Sequence, residues 1–243
     1  NQWDIIWINE GGVHSINHAI IKNGLYGVQA EDVQFDGTIG DAPTQLNIYN
    51  SVIRNMTVGL LARSFQITAY NNIISDCKSY GAVFSQGGNY TLKQNTIANY
   101  WRYSQRSTPA FFMNDFVNDG TANVHIPLSI TVDNCIIYGN NDNEIEKDLL
   151  YSLADTYSFR NCLIKVDEKV TPVSVIPAFI NTFKNQDPQF EDYAKYDFRL
   201  KDTSPAIDAG DGALLTVPEL NTDIDGNIRP QGAAPDIGAL EKK

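Results

Sequence analysis

Three features of the sequence predict an all-β fold in which short parallel strands wind into stacked coils. They are a repeat carrying an isoleucine at a fixed place, apolar residues at every second position before it, and a second strand pattern after it. Aligned on Asn or Gln followed three residues later by Ile, the copies are Asn17/Ile20, Asn50/Ile53, Asn71/Ile74, Gln94/Ile97, Asn134/Ile137 and Asn161/Ile164. The columns two and four residues earlier are mostly apolar: Ser15, Ile48, Ala69, Leu92, Val132 and Phe159, then Val13, Leu46, Ile67, Tyr90, Ile130 and Tyr157. Side chains alternating in this way belong to strands, and the change of parity at the polar residue marks a tight corner.

Further along the unit, Gly27-Val28-Gln29-Ala30, Gly59-Leu60-Leu61-Ala62 and Gly81-Ala82-Val83-Phe84 recur. Each coil is therefore expected to carry three strands, and the chain to build three parallel sheets around a column of side chains, with coils about 4.8 Å apart. The six isoleucines should form one inward stack. An Asn at the corner tolerates a left-handed backbone and can pass an amide hydrogen bond to the Asn of the next coil, making a ladder. These columns, over residues 13–166, resemble the right-handed parallel β-helix proteins of the pectate-lyase-like superfamily, whose asparagine ladder stands at such a corner. The resemblance, with the general hand of parallel crossovers, implies a single-stranded right-handed parallel β-helix. It implies little about chemistry, because that superfamily holds lyases, hydrolases, esterases, adhesins and inert surface proteins.

Past residue 166 the ladder motif stops, and residues 167–243 read as irregular C-terminal coils and a cap of the same domain. The succession Asp187-Pro188-Gln189-Phe190, Ser204-Pro205-Ala206-Ile207-Asp208 and Asp236-Ile237-Gly238 resembles the C-terminal end of secreted Bacteroidetes β-helix proteins with a choice-of-anchor type domain. That likeness implies an extracellular, cell-surface or periplasmic protein. At the other end, the apolar run Trp3-Asp4-Ile5-Ile6-Trp7-Ile8 would leave an open sheet edge, so residues 1–166 are expected to lack upstream coils or to hide this end against a neighbour. Asn1 in place of Met reads as a processed or trimmed start.

Composition narrows the partners. Of 243 residues 42% are hydrophobic and 19% charged, which suits a globular chain with a large core. Lys and Arg number 18 against 29 Asp and Glu, a net −11 that repels phosphate backbones and anionic lipid, so neither nucleic acid nor membrane insertion is expected. The three cysteines, Cys77, Cys135 and Cys162, match no zinc or redox spacing and read as small core residues, a Cys135–Cys162 disulfide being the alternative. His14, His18 and His125 are too scattered for a metal site. Asp223, Asp225 and Asn227 look like the start of a calcium loop, but the twelfth position, Ala234, cannot supply the bidentate carboxylate. The other reading is an Asp-Gly turn with Arg229 paired to an acid such as Asp236. No cofactor is otherwise expected.

Enzymes of the resembled superfamily work on the outer face of the first sheet. Here that face offers Gln29, Leu61 and Val83, with Glu31, Arg63 and Ser85 at the strand ends. Glu31 and Arg63 are the weak catalytic candidates, with an exposed ion pair between coils as the plainer reading. The long insertion after Ile97 is richer, holding Trp101, Arg102, Tyr103, Arg106 and Asp115. Aromatic faces beside planar donors suit sugar rings, whereas simple packing would have the arginines paired with Asp115 or another acid. The loop Asn140-Asn141-Asp142-Asn143-Glu144 reads as solvated. The expectation is polysaccharide binding; a polysaccharide lyase or glycoside hydrolase and a structural or adhesin-like module are the alternatives.

Overall fold

The computed structural model of the chain describes residues 3–9, 11–31, 44–150, 156–171 and 178–243. Those residues form strands and three short 3-10 turns, with no α-helix among them. Most strands belong to two sheets, one of 11 strands and one of 7, in which the described strands pair parallel. Each strand lies beside its counterpart in the neighbouring repeat. In the smaller sheet Ile53 pairs with Ile74, Ile74 with Ile97, Ile97 with Ile137 and Ile137 with Ile164. All five are buried in one continuous core.

The first copy is one residue out of the expected register. Ile21, not Ile20, pairs with Ile53, and Ile16 pairs with Ile48. Ile20 is 69% exposed, and His18, not Asn17, takes the left-handed corner (φ 52°). Pairing Ile20 inward would have turned Ile16 and Ile21 out together, because a slip of one residue exchanges the two faces of a strand.

The larger sheet contains two of the three expected strand sets. Strands Val58–Tyr70 and Ala82–Lys93 pair through their first halves with one set and through their second halves with the other. Ser64 (φ 48°) and Gln86 (φ 60°) bend them at the corner, where the register shifts between Arg63 and Phe65 and pairing resumes beyond. The two sets are thereby one hydrogen-bonded sheet. At the head of the first set, Gly27, Gly59 and Gly81 stack so closely that a Cβ on Gly59 would come within 2.5 Å of the Gly81 carbonyl oxygen, which only glycine avoids.

The corner column behaves as two ladders. Asn50, Asn71, Gln94, Asn134, Asn161 and Asn181 all have φ between 49° and 55°, and Asn71 Nδ2 donates to Asn50 Oδ1 at 3.2 Å. The buried ladder is the next residue along. Asn72 Oδ1 accepts from Ser51 N at 3.0 Å, Asn95 Oδ1 accepts from Asn72 N at 2.9 Å, and their Nδ2 groups cap the carbonyls of Ile48 and Ala69. Cys135 and Cys162 continue this column as free, buried thiols, and burial pushes the Cys135 thiol up to about 12, leaving it unreactive.

Residues 186–243 lie along the flank of the smaller sheet. Phe198, Leu200, Ala206, Ile237 and Ala239 cover the outward side chains of Ile73, Ala98, Ile136 and Leu163 in a second core. The same segment reads the outer corner ladder. Asn71 Nδ2 donates to the carbonyls of Glu219 and Thr222 at 2.8 and 3.0 Å, and Asn134 Oδ1 accepts from Asp211 N at 2.9 Å.

Candidate functional site: a cleft between two loops

The outer row of the first strand set runs Gln29, Leu61, Val83, Phe112 and Glu146 by direct pairing. Phe112 and Glu146 escaped the sequence reading because the insertion hides their register. Along this row Leu61 and Val83 pack with Val58, Tyr26, Tyr80 and Phe112 as a small apolar cluster. At the strand ends Arg63 Nη1 meets Glu31 Oε2 at 2.7 Å, while Glu31 Oε1 accepts from Gln29 Nε2 at 2.6 Å. Both carboxylate oxygens are engaged and the charge is matched, an arrangement suited to bracing neighbouring coils.

The insertion and the Asn140–Glu144 loop meet further along this side and enclose a cleft of ≈ 670 Å³. Trp101, Arg102, Gln105 and Arg106 line one wall; Asn140, Asn141, Asp142, Asn143 and Glu146 line the other. Of the sequence candidates, Trp101, Arg102 and Arg106 come together here. Tyr103 is 64% exposed beside them, edge-on to Trp101 with ring centres 4.9 Å apart. Asp115 is elsewhere: it is buried, accepts from Leu150 N at 2.9 Å and lies 3.7 Å from His125 Nε2.

Arg106 is held by Glu144, which is buried and not solvated as the sequence of its loop suggests. Arg106 Nη1 reaches Glu144 Oε2 at 2.9 Å and Nη2 reaches Oε1 at 2.5 Å, with Nη2 also donating to the Asn99 carbonyl at 2.9 Å. Glu144 is fully buried and also accepts from Ala110 N and Asn141 N, both at 2.8 Å. Burial raises its carboxyl, against the opposing pull of Arg106. This clamp ties the two walls together from below. The loop amides are fixed from above: Asn140 Nδ2 donates to the Trp101 carbonyl at 3.0 Å and Asn141 Nδ2 to the Thr108 carbonyl at 2.8 Å. Trp101 Nε1 donates to Ser104 Oγ at 2.9 Å, and Arg102 Nη2 donates to the Ala194 carbonyl at 2.6 Å. An aromatic ring beside rigid polar acceptors can stack a sugar and receive its hydroxyls.

Behind Arg102 sits Asp76, 1% exposed, with Oδ2 unpartnered. Burial pushes its carboxyl up to about 6, opposed by Arg102 and Arg54, and burial does the same to Asp236, also to about 6. A carboxyl raised above its unfolded value favours the fold when protonated, so its contribution is full at low pH and is lost as pH rises through about 6. Asp76→Asn should therefore add about 1–3 kcal/mol near pH 7.5 and flatten part of the fall in melting temperature as pH rises from 3.8 to about 6. An unchanged melting profile across that range would contradict it.

The calcium candidates form a closed turn. Asp223 Oδ1 accepts from Asp225 N and Asn227 N at 3.0 and 2.8 Å, and Oδ2 accepts from Asn227 Nδ2 and Glu241 N at 2.8 and 3.0 Å. Arg229 pairs with Glu241 at 2.7 Å, not with Asp236, whose oxygens accept from Asp208 N and Lys242 N. Among the described residues no group of three or more His, Cys, Asp or Glu is gathered as a metal would require. Set against family models, curated proteins and solved structures, the chain matches none of them.

Proposed function

We propose that this chain is a glycan-binding protein built as a right-handed parallel β-helix of the pectate-lyase-like kind, and that it acts outside the cell, at its surface or in the periplasm. The cleft at Trp101 carries the reading: an aromatic ring and polar acceptors are held rigid on a stacked scaffold, and rigid positioning is what makes a shallow sugar site effective. The Glu31–Arg63 pair at the ends of the first strand set supports binding over catalysis, since it is internally matched. A hydrolase is the second reading, favoured by two acids, Asp142 and Glu146, lining one cleft.

A glycan array run beside reducing-sugar and unsaturated-uronate assays separates these readings. Retention of a glycan with neither product supports binding; release of reducing ends supports the hydrolase; no retention of any glycan leaves a structural module. Trp101→Ala should keep the parent melting temperature and lose about tenfold or more in affinity, the scale of one lost stacking contact and its buried area. A variant that binds as tightly as the parent places the glycan elsewhere.

A further inference from the structure

The cleft also carries information about which sugars it would take, a conclusion that rests on the glycan-binding reading above. Several of its donors are committed. Arg106 gives both terminal nitrogens to Glu144 and backbone carbonyls, Arg102 donates to the Ala194 carbonyl, and Asn140 and Asn141 donate their amides to the carbonyls of Trp101 and Thr108. Its acceptors are not. Turning those amides toward the backbone leaves Asn140 Oδ1 and Asn141 Oδ1 as acceptors on the same wall as the carboxylates of Asp142 and Glu146. With Arg106 cancelled by Glu144, the described lining sets one further cation, Arg102, against two acids, in a chain of net charge −11.

We infer that the cleft selects glycans rich in hydrogen-bond donors and bearing free amines, that is, oligosaccharides of amino sugars, and disfavours uronates. A protonated amine beside Trp101 meets two carboxylates and amide oxygens and gains cation–π attraction from the indole. A uronate would bring its carboxylate against Asp142 and Glu146, a like-charge approach that costs hydration and attraction alike.

The test is titration calorimetry of the full chain with three tetrasaccharides: glucosamine, its N-acetylated counterpart and galacturonate, at low and at raised salt. The glucosamine tetramer should bind about tenfold more tightly than either of the others, the scale of two partly exposed charge contacts, with the preference shrinking in salt. Asp142→Asn with Glu146→Gln should erase the preference while leaving the melting temperature unchanged. Equal or tighter binding of galacturonate overturns the inference and leaves glycan binding standing. A preference that survives in the double variant also overturns it, since it would reflect attraction to the acidic surface at large. If no tetramer binds and the array is blank, the glycan-binding reading itself has failed.

Discussion

Arg106→Ala is expected to remove roughly 3–5 kcal/mol of stability, enough to leave a single domain near its unfolding threshold. The loss comes less from the missing guanidinium than from what it leaves behind. Glu144 would remain fully buried with a carboxylate that has lost Arg106, its ion-pair partner, and is still held by Ala110 N and Asn141 N. Its carboxyl, already raised by burial, should rise further without Arg106, so the variant should recover part of its stability in mild acid. Adding Glu144→Gln to Arg106→Ala should restore more than either single change retains, the signature of a coupled pair. Urea unfolding followed by circular dichroism measures all three. If Arg106→Ala costs less than about 1 kcal/mol, the clamp is not what joins the walls.

Arg229→Ala should cost about as much, by a different route. The Arg229 side chain is fully buried and donates to Glu241 Oε1 at 2.7 Å, Asn71 Oδ1 at 2.8 Å and the Gly238 carbonyl at 3.2 Å. It therefore bonds the C-terminal segment to the corner ladder through one side chain. Hydrogen exchange should show protection lost over residues 206–241 and at the Asn71 corner, while the amides of Ile97 and Ile137 stay slow. Uniform loss along the whole chain would mean that the flank and the stack unfold as one unit.

The sequence made the isoleucine stack legible because one side chain type recurs on one face, and five of six copies fall where the columns place them. The first copy misleads because Asn17 and Ile20 satisfy the pattern while Ile16 and Ile21 satisfy the core. The buried amide ladder was harder to see. Its later rungs are Cys135 and Cys162, so the column changes chemistry midway and no single residue type marks it.

For the cleft, composition pointed to Trp101 and its neighbours because aromatics and arginines crowd an insertion. It could not point to Glu144, which lies 38 residues from Arg106 in sequence in a loop that reads as solvent-facing. The pairing of Thr96–Asn99 with Ile136–Gly139 before the loops, and of Phe111–Asn114 with Ile145–Asp148 after them, brings the two loops to one place. The role of Arg229 was half legible: an acid partner was expected, and it is Glu241 rather than Asp236.

Sugar binding at Trp101 can be followed through the fluorescence of that residue. The chain has three tryptophans, Trp3, Trp7 and Trp101, and the first two lie on the strand Trp3–Ile8 at one end of the larger sheet. A Trp3→Phe, Trp7→Phe protein therefore reports fluorescence from the cleft alone. Titrating it with the glycan retained on the array should give a saturable change in emission that matches the affinity of the parent protein. A glycan that binds with the parent affinity and leaves the Trp101 emission unmoved would contradict the account.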